Sequence, residues 1–187
     1  MKIIGIHGSP RREGSSAQLM GAILRQCEAG GAQTQTYHLN TLKISGCQAC
    51  YSCRQEGKEG KCAIKDDMNR ILEDILAADA VVLASPVYMW QMTAQAKLFT
   101  DRLMPVLKQD YTSRLNGQRL LTVYTQGQPD VTKFATYFQY VKAMYSFLGF
   151  RALEPFVAGG LRALDDLKNQ PEIMEKARQA AAGLMVE

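Results

Sequence analysis

Short apolar runs rich in β-branched residues alternate along this chain with stretches of helical periodicity. Ile3 to Ile6 reads as a first strand and Thr34 to Leu39 as a second. Ala80-Val81-Val82-Leu83-Ala84 is a third, with no polar alternation, as expected of a strand covered on both faces. Arg119 to Tyr124 is a fourth and Ala152 to Val157 a fifth. Between them the pattern predicts helices. One runs from Ala17 to Glu28, with Leu19, Ile23 and Leu24 on one side, and closes at Gly30-Gly31. A second is expected to be capped by Asp67 and carries the stripe Ile71, Leu72, Ile75, Leu76. A third, capped by Thr93, passes through Leu98, Phe99 and Leu103. A fourth spans Thr132 to Leu148 and ends at Gly149, and Pro171 opens a last one that reaches about Met185. Strands and helices in this alternation imply an α/β fold with a parallel sheet and helices on both faces.

Ligands of such sheets bind outside the carboxyl ends of the strands. The segments there are Gly8 to Ser16, Ser85 to Trp90, and Thr125 to Pro129. The first, Gly-Ser-Pro-Arg-Arg-Glu-Gly-Ser-Ser, combines glycine, hydroxyls and arginine just before a helix. Free N–H groups and the helix dipole favour an anion there, and Ser9, Ser15, Ser16 and an arginine add donors. An ordinary turn with a serine cap has the same composition. The Gly-Lys-Ser/Thr ending of a Walker loop and the GxGxxG dinucleotide fingerprint are both missing. In the second segment Pro86 stiffens the backbone and Tyr88 and Trp90 suit a flat ring, although aromatics there also serve packing or a subunit contact. A phosphate cradle beside a planar-ring loop fits a mononucleotide, FMN included.

The chain has 187 residues, 47% hydrophobic and 21% charged, which suits one soluble domain. Its formal charge of +4 is scattered, with no basic face for nucleic acid. No apolar run approaches a membrane span, and the sequence opens on a strand rather than a leader, so a cytoplasmic location is expected.

Four of the five cysteines fall close together, as Cys47-x2-Cys50-x2-Cys53-x8-Cys62. Two CxxC steps sharing a cysteine are like the compact ferredoxin ligand run. Four-cysteine zinc sites and free redox-active thiols are the competing readings. Cys27, His7 and His38 are expected to be structural.

Gly8-Ser9-Pro10-Arg11-x-x-Gly14-Ser15-Ser16, Asp66-Asp67-Met68, Ser85-Pro86-Val87-Tyr88 and Lys97-x-x-x-Asp101-Arg102 together resemble the flavodoxin-like NAD(P)H-dependent FMN reductases. More narrowly the chain is similar to their iron–sulfur flavoprotein branch, over residues 1 to about 130. The resemblance implies a doubly wound five-stranded parallel sheet in the order 2-1-3-4-5, in one domain over residues 1–187 with a cysteine-rich loop at 46–63. It places FMN phosphate on Ser9, Arg11, Ser15 and Ser16. Pro86, Val87, Tyr88 and Met89 would line the isoalloxazine, with Thr125, Gln126 and Gly127 at its other edge. Family members often carry Asn-Thr where this chain has Ser15-Ser16. The branch holds a [4Fe–4S] cluster on cysteines like Cys47, Cys50, Cys53 and Cys62, though the gap of eight residues here is longer than that pattern leads one to expect. Lys97, Asp101 and Arg102 are expected to close a helix or a subunit contact. The activity implied is a flavin-dependent oxidoreductase, with a ferredoxin-like donor if a cluster is held. Without a cluster, NAD(P)H would reduce FMN, a quinone or free flavin. A flavodoxin-type electron carrier is the alternative, and a homodimer or homotetramer is expected.

Overall fold

The computed structural model describes residues 1–58, 60–163 and 165–186. The elements in chain order are β1 (Lys2–His7), α1 (Ser15–Ala29), β2 (Gln33–His38), α2 (Met68–Leu76), β3 (Ala80–Tyr88), β4 (Gln91–Met92) and α3 (Ala94–Asp101). There follow β5 (Arg119–Thr125), α4 (Ala135–Phe147), β6 (Arg151–Ala152), β7 (Phe156–Ala158), α5 (Pro171–Ala180) and α6 (Ala182–Met185). The sheet runs in the order β2-β1-β3-β5-β6, with β7 also paired to β5. These pairings are parallel, while the two residues of β4 run antiparallel, against β3.

The expected five strands in the order 2-1-3-4-5 need correction in two places. The third strand does not stop at Ala84 but continues to Tyr88 and folds back through Met89 and Trp90 into β4. Both turn residues have positive φ, 43° and 70°, as a two-residue hairpin turn requires. The expected fifth strand is two pieces, β6 and β7, because Pro155 falls between them and offers no N–H to a ladder.

Side chains on β1 and β3 alternate between two apolar clusters, as the pleat dictates. Ile4, Ile6, Val81 and Leu83 pack with Ile71 and Ile75 of α2, Phe99 of α3, and Phe138 and Tyr145 of α4. Ile3, Ala80 and Val82 pack instead with Leu19 and Ile23 of α1 and Ala177 of α5. Helix ends are set locally. Thr93 caps α3 as expected, its Oγ1 accepting the Ala96 N–H at 3.2 Å. Asp67 does not cap α2 with its side chain. Its Oδ2 accepts the Lys43 N–H at 2.7 Å, while Asp66 Oδ1 accepts the Met68 N–H at 3.1 Å. The last predicted helix breaks at Ala181 into α5 and α6.

Candidate functional site

Four loops at the carboxyl ends of β1, β3, β5 and β7 surround one cleft. It is lined by Ser9, Arg11, Gly14, Ser15 and Ser16, by Pro86, Val87 and Tyr88, by Thr125, Gln126 and Gly127, and by Leu161, Arg162 and Ala163. The structure therefore brings together the expected site residues with one exception. Met89 is 93% exposed and stands outside the lining, because its positive φ turns it out of the strand at the hairpin tip. Trp90 is exposed beside it, with its ring 5.9 Å from that of Phe134.

The first loop is held on all sides. Gly8 N–H donates to Ala84 O at 2.8 Å, and Thr93 Oγ1 donates to Gly8 O at 2.6 Å. Ser9 is buried, and its Oγ accepts the Arg11 N–H at 3.1 Å, so its hydroxyl proton is left for another partner. Gly14 precedes α1 without any side-chain cap. The first-turn N–H groups of Ser15, Ser16 and Ala17 precede the first intrahelical bond, from Gln18 N to Gly14 O at 3.1 Å. Uncapped first-turn donors facing a cleft are what an anion at a helix N-terminus needs.

The far wall is equally ordered. Gln126 Nε2 donates to Gln128 O at 3.0 Å and to Asp130 O at 2.7 Å. That fixes the amide, and leaves Gln126 Oε1 buried with no partner within the protein. Leu161, Arg162 and Ala163 were not expected at the site. Arg162 Nε donates to Gly127 O at 3.1 Å, while its N–H and that of Ala163 are held by Asp166 Oδ2 at 2.5 and 2.6 Å. The available signal was Gly159-Gly160, a turn pair following β7 where the chain leaves the sheet.

The cysteine loop forms a second, separate cavity. Cys47, Cys50, Cys53 and Cys62 all line it, with Tyr51, Ile64, Arg102, Met104 and Pro105. The thiols sit at different depths, Cys47 and Cys50 exposed, Cys53 buried and Cys62 between. Among the described residues no group of three His, Cys, Asp or Glu side chains is placed to hold a metal ion. The sequence expectation of four gathered ligands is thus met only as far as the shared cavity. Burial, reinforced by the neighbouring thiols, pushes the Cys53 thiol above its ordinary pKa. Arg102 is 1% exposed and lies against Asp66, which its Nη1 and Nη2 engage at 2.7 and 3.0 Å. Nη1 also donates to Ser45 O at 2.7 Å and Nη2 to Cys62 Sγ at 3.3 Å. Lys97 and Asp101 pair on the surface of α3 at 2.5 Å.

Similarity to known proteins follows the same lines. An iron–sulfur flavoprotein of Archaeoglobus fulgidus is 39% identical over 105 residues, 56% of this chain and 46% of that one. One of Methanosarcina thermophila is 36% identical over 111 residues, 59% and 56% of the two chains. The matched stretch therefore spans about half the length of these relatives. An FMN-dependent NADH-azoreductase of Bacillus anthracis, solved with FMN, superposes over 100% of both chains with a TM-score of 0.73 at 18% identity. An NAD(P)H:quinone oxidoreductase of Methanothermobacter marburgensis gives 0.73 at 17%, over 100% of this chain and 98% of that one. These two show that the fold is flavodoxin-like. The family model of NADPH-dependent FMN reductase matches residues 1–137, and the chain belongs to that family.

Proposed function

We propose that the cleft holds FMN and that the protein is an NAD(P)H-dependent reductase of small planar acceptors such as a quinone or free flavin. One observation carries this reading: all the residues expected at an FMN site except Met89 line one cleft, with the uncapped start of α1 at one side and the orphaned Gln126 Oε1 at the other. FMN, when bound, supplies the hydride acceptance and the one- or two-electron release.

The residues do the rest. Arg11, the hydroxyls of Ser9, Ser15 and Ser16, and the first-turn N–H groups hold the phosphate. Pro86 and Val87 present a stiff backbone edge to the ring. Gln126 Oε1 offers an acceptor that an imide N–H of the heterocycle would satisfy, which suits a lactam-bearing ring over a purely apolar one. Tyr88, 43% exposed at the rim, leaves one side of the cleft open for a stacked acceptor. The azoreductase and quinone oxidoreductase of similar fold are named for such substrates. A homodimer or homotetramer belongs to the same proposal and is read by sedimentation.

The test is direct. Apoprotein titrated with FMN is expected to quench flavin fluorescence at one equivalent per chain, and the loaded protein to oxidise NAD(P)H when a quinone is added. A protein that leaves FMN fluorescence unchanged refutes the proposal.

A second reading attaches to the cysteine loop. The four thiols share a cavity, and several relatives are named iron–sulfur flavoproteins, which supports a [4Fe–4S] cluster fed by a ferredoxin-like donor. Among the described residues the four thiols do not themselves form a ligand set. Iron and sulfide analysis after anaerobic reconstitution decides: iron retained by the native chain and lost in Cys50→Ser supports it, and an iron-free native chain rejects it.

A further inference from the structure

Beneath the loop from Gly8 to Gly14 lie two imidazoles from neighbouring strand ends. His7 closes β1 and His38 closes β2, and the two are paired in register. Their rings stack with centroids 4.7 Å apart and planes 22° from parallel. His38 Nε2 is 2.8 Å from the Ser9 carbonyl oxygen. A carbonyl only accepts, so this nitrogen carries the proton and the contact itself sets the tautomer. His7 Nε2 stands 3.5 Å from Ser16 Oγ, at the outer limit of a hydrogen bond. Ser9 and Ser16 both line the cleft, while neither histidine does.

The direction of these contacts decides what the serines have left to give. Ser9 Oγ already accepts the Arg11 N–H, and its carbonyl is pinned by His38, so its hydroxyl proton is free. Ser16 depends on His7. If His7 Nε2 carries a proton it donates to Ser16 Oγ, and the serine's own hydrogen is released toward the cleft. In the other neutral tautomer Nε2 accepts that hydrogen and turns it away. Charging the ring is not a third option near neutrality, because burial, and then the adjacent His38, lower the His7 pKa to about 4.

We propose that His7 and His38 are positioning residues of the cradle: two stacked imidazoles whose Nε2–H groups hold the Ser16 hydroxyl oxygen and the Ser9 carbonyl, so that both serine hydroxyl protons serve a phosphate monoester. The inference rests on the reading of the cleft as an FMN site and deepens it. It gives a role to two residues that touch no ligand. Stacking fixes the two rings against each other, so the pair acts on both ends of the loop at once.

Dissociation constants for FMN and riboflavin, measured side by side through flavin fluorescence, test it. His38→Leu and His7→Phe each remove one donor, and each is expected to weaken FMN roughly tenfold, the size of one hydrogen bond. Riboflavin affinity stays the same and also reports that the cleft is folded. His38→Gln, whose amide N–H takes the place of Nε2–H, is expected to recover most of the FMN affinity. Equal losses for both flavins, or a glutamine variant no better than leucine, overturn the roles assigned here. His38, only half-buried, carries the test alone should the His7 variant not fold. A native protein that binds both flavins equally overturns the phosphate reading as well. One that prefers FMN while its histidine variants behave as the native chain overturns only this inference.

Discussion

Arg102 reaches Cys62 with one arm of its guanidinium, Nη2 to Sγ at 3.3 Å, while both arms rest on Asp66. Two ends of the cysteine loop, Ser45 and Cys62, are thereby tied to the end of α3 through one buried cation. Burial is the largest single influence on Asp66 and disfavours its charge, but the Arg102 hydrogen bonds and charge, together with the Ser45 and Met68 N–H groups, outweigh it and hold the carboxyl below the usual carboxylate range.

Breaking this pair from the acid side leaves an uncompensated buried guanidinium. Asp66→Ala is therefore expected to cost about 3–5 kcal/mol of stability, measured by urea denaturation. The pH dependence has a definite sign. The folded carboxyl has a lowered pKa, so its contribution is complete above the unfolded value, near 4. It is lost as pH falls through that value toward the folded pKa. The native chain should lose stability on acidification across this range, and Asp66→Ala should lose less.

Arg11 offers a charge-assisted bond to phosphate that riboflavin cannot use. Arg11→Ala is expected to weaken FMN by about ten- to a hundredfold, as such bonds contribute roughly 1.5–3 kcal/mol, and to leave riboflavin unaffected. Parallel titrations of the two flavins read the difference; matching losses would remove Arg11 from the phosphate site.

Gly8 is packed where no side chain fits. A Cβ there would come 2.8 Å from Ala96 Cβ and 3.2 Å from Ala84 O. Neither neighbour is a flexible side-chain end, so the loop itself must move. Gly8→Ala is expected to cost about 1–3 kcal/mol, the scale of overpacking, and to weaken FMN binding at the same time. Thermal melts with and without FMN check both effects. A variant that keeps full FMN affinity would show that the loop tolerates displacement.

That Ser9, Arg11, Gly14, Ser15 and Ser16 line the cleft was legible from their place between an apolar strand and a helix, although their composition alone equally suits a serine-capped turn. Pro86 and Gln126 were readable from their place after apolar strands. Met89 was misplaced because the hairpin turn at Met89-Trp90 uses residues with no turn preference, and the antiparallel pairing of Tyr88 with Gln91 and Val87 with Met92 brackets the positive φ. Tyr137 supports that pairing from α4: its Oη accepts the Met92 N–H at 3.0 Å. Arg162 reaches the site through a backbone turn anchored by Asp166, a local contact of ordinary loop residues. The Arg102–Asp66 pair joins positions 36 apart, and nothing in either segment alone announces the partner.

Thr93 concentrates two tasks in one hydroxyl: it caps α3 by accepting the Ala96 N–H, and it donates to the Gly8 carbonyl. It is 1% exposed, so water cannot replace either bond. Thr93→Val keeps the shape and removes both. Loss of the cap costs about 1 kcal/mol, and a buried carbonyl left without its donor about 1–3 kcal/mol. The effects share one site and need not add, so a total of about 2–3 kcal/mol is expected in urea denaturation. Because Gly8 opens the cradle, FMN affinity should fall as well, while Thr93→Ser, which keeps the hydroxyl, should retain most of both. A valine variant with native stability would show that the Gly8 carbonyl finds another donor, and that the cradle is held from the histidine side alone.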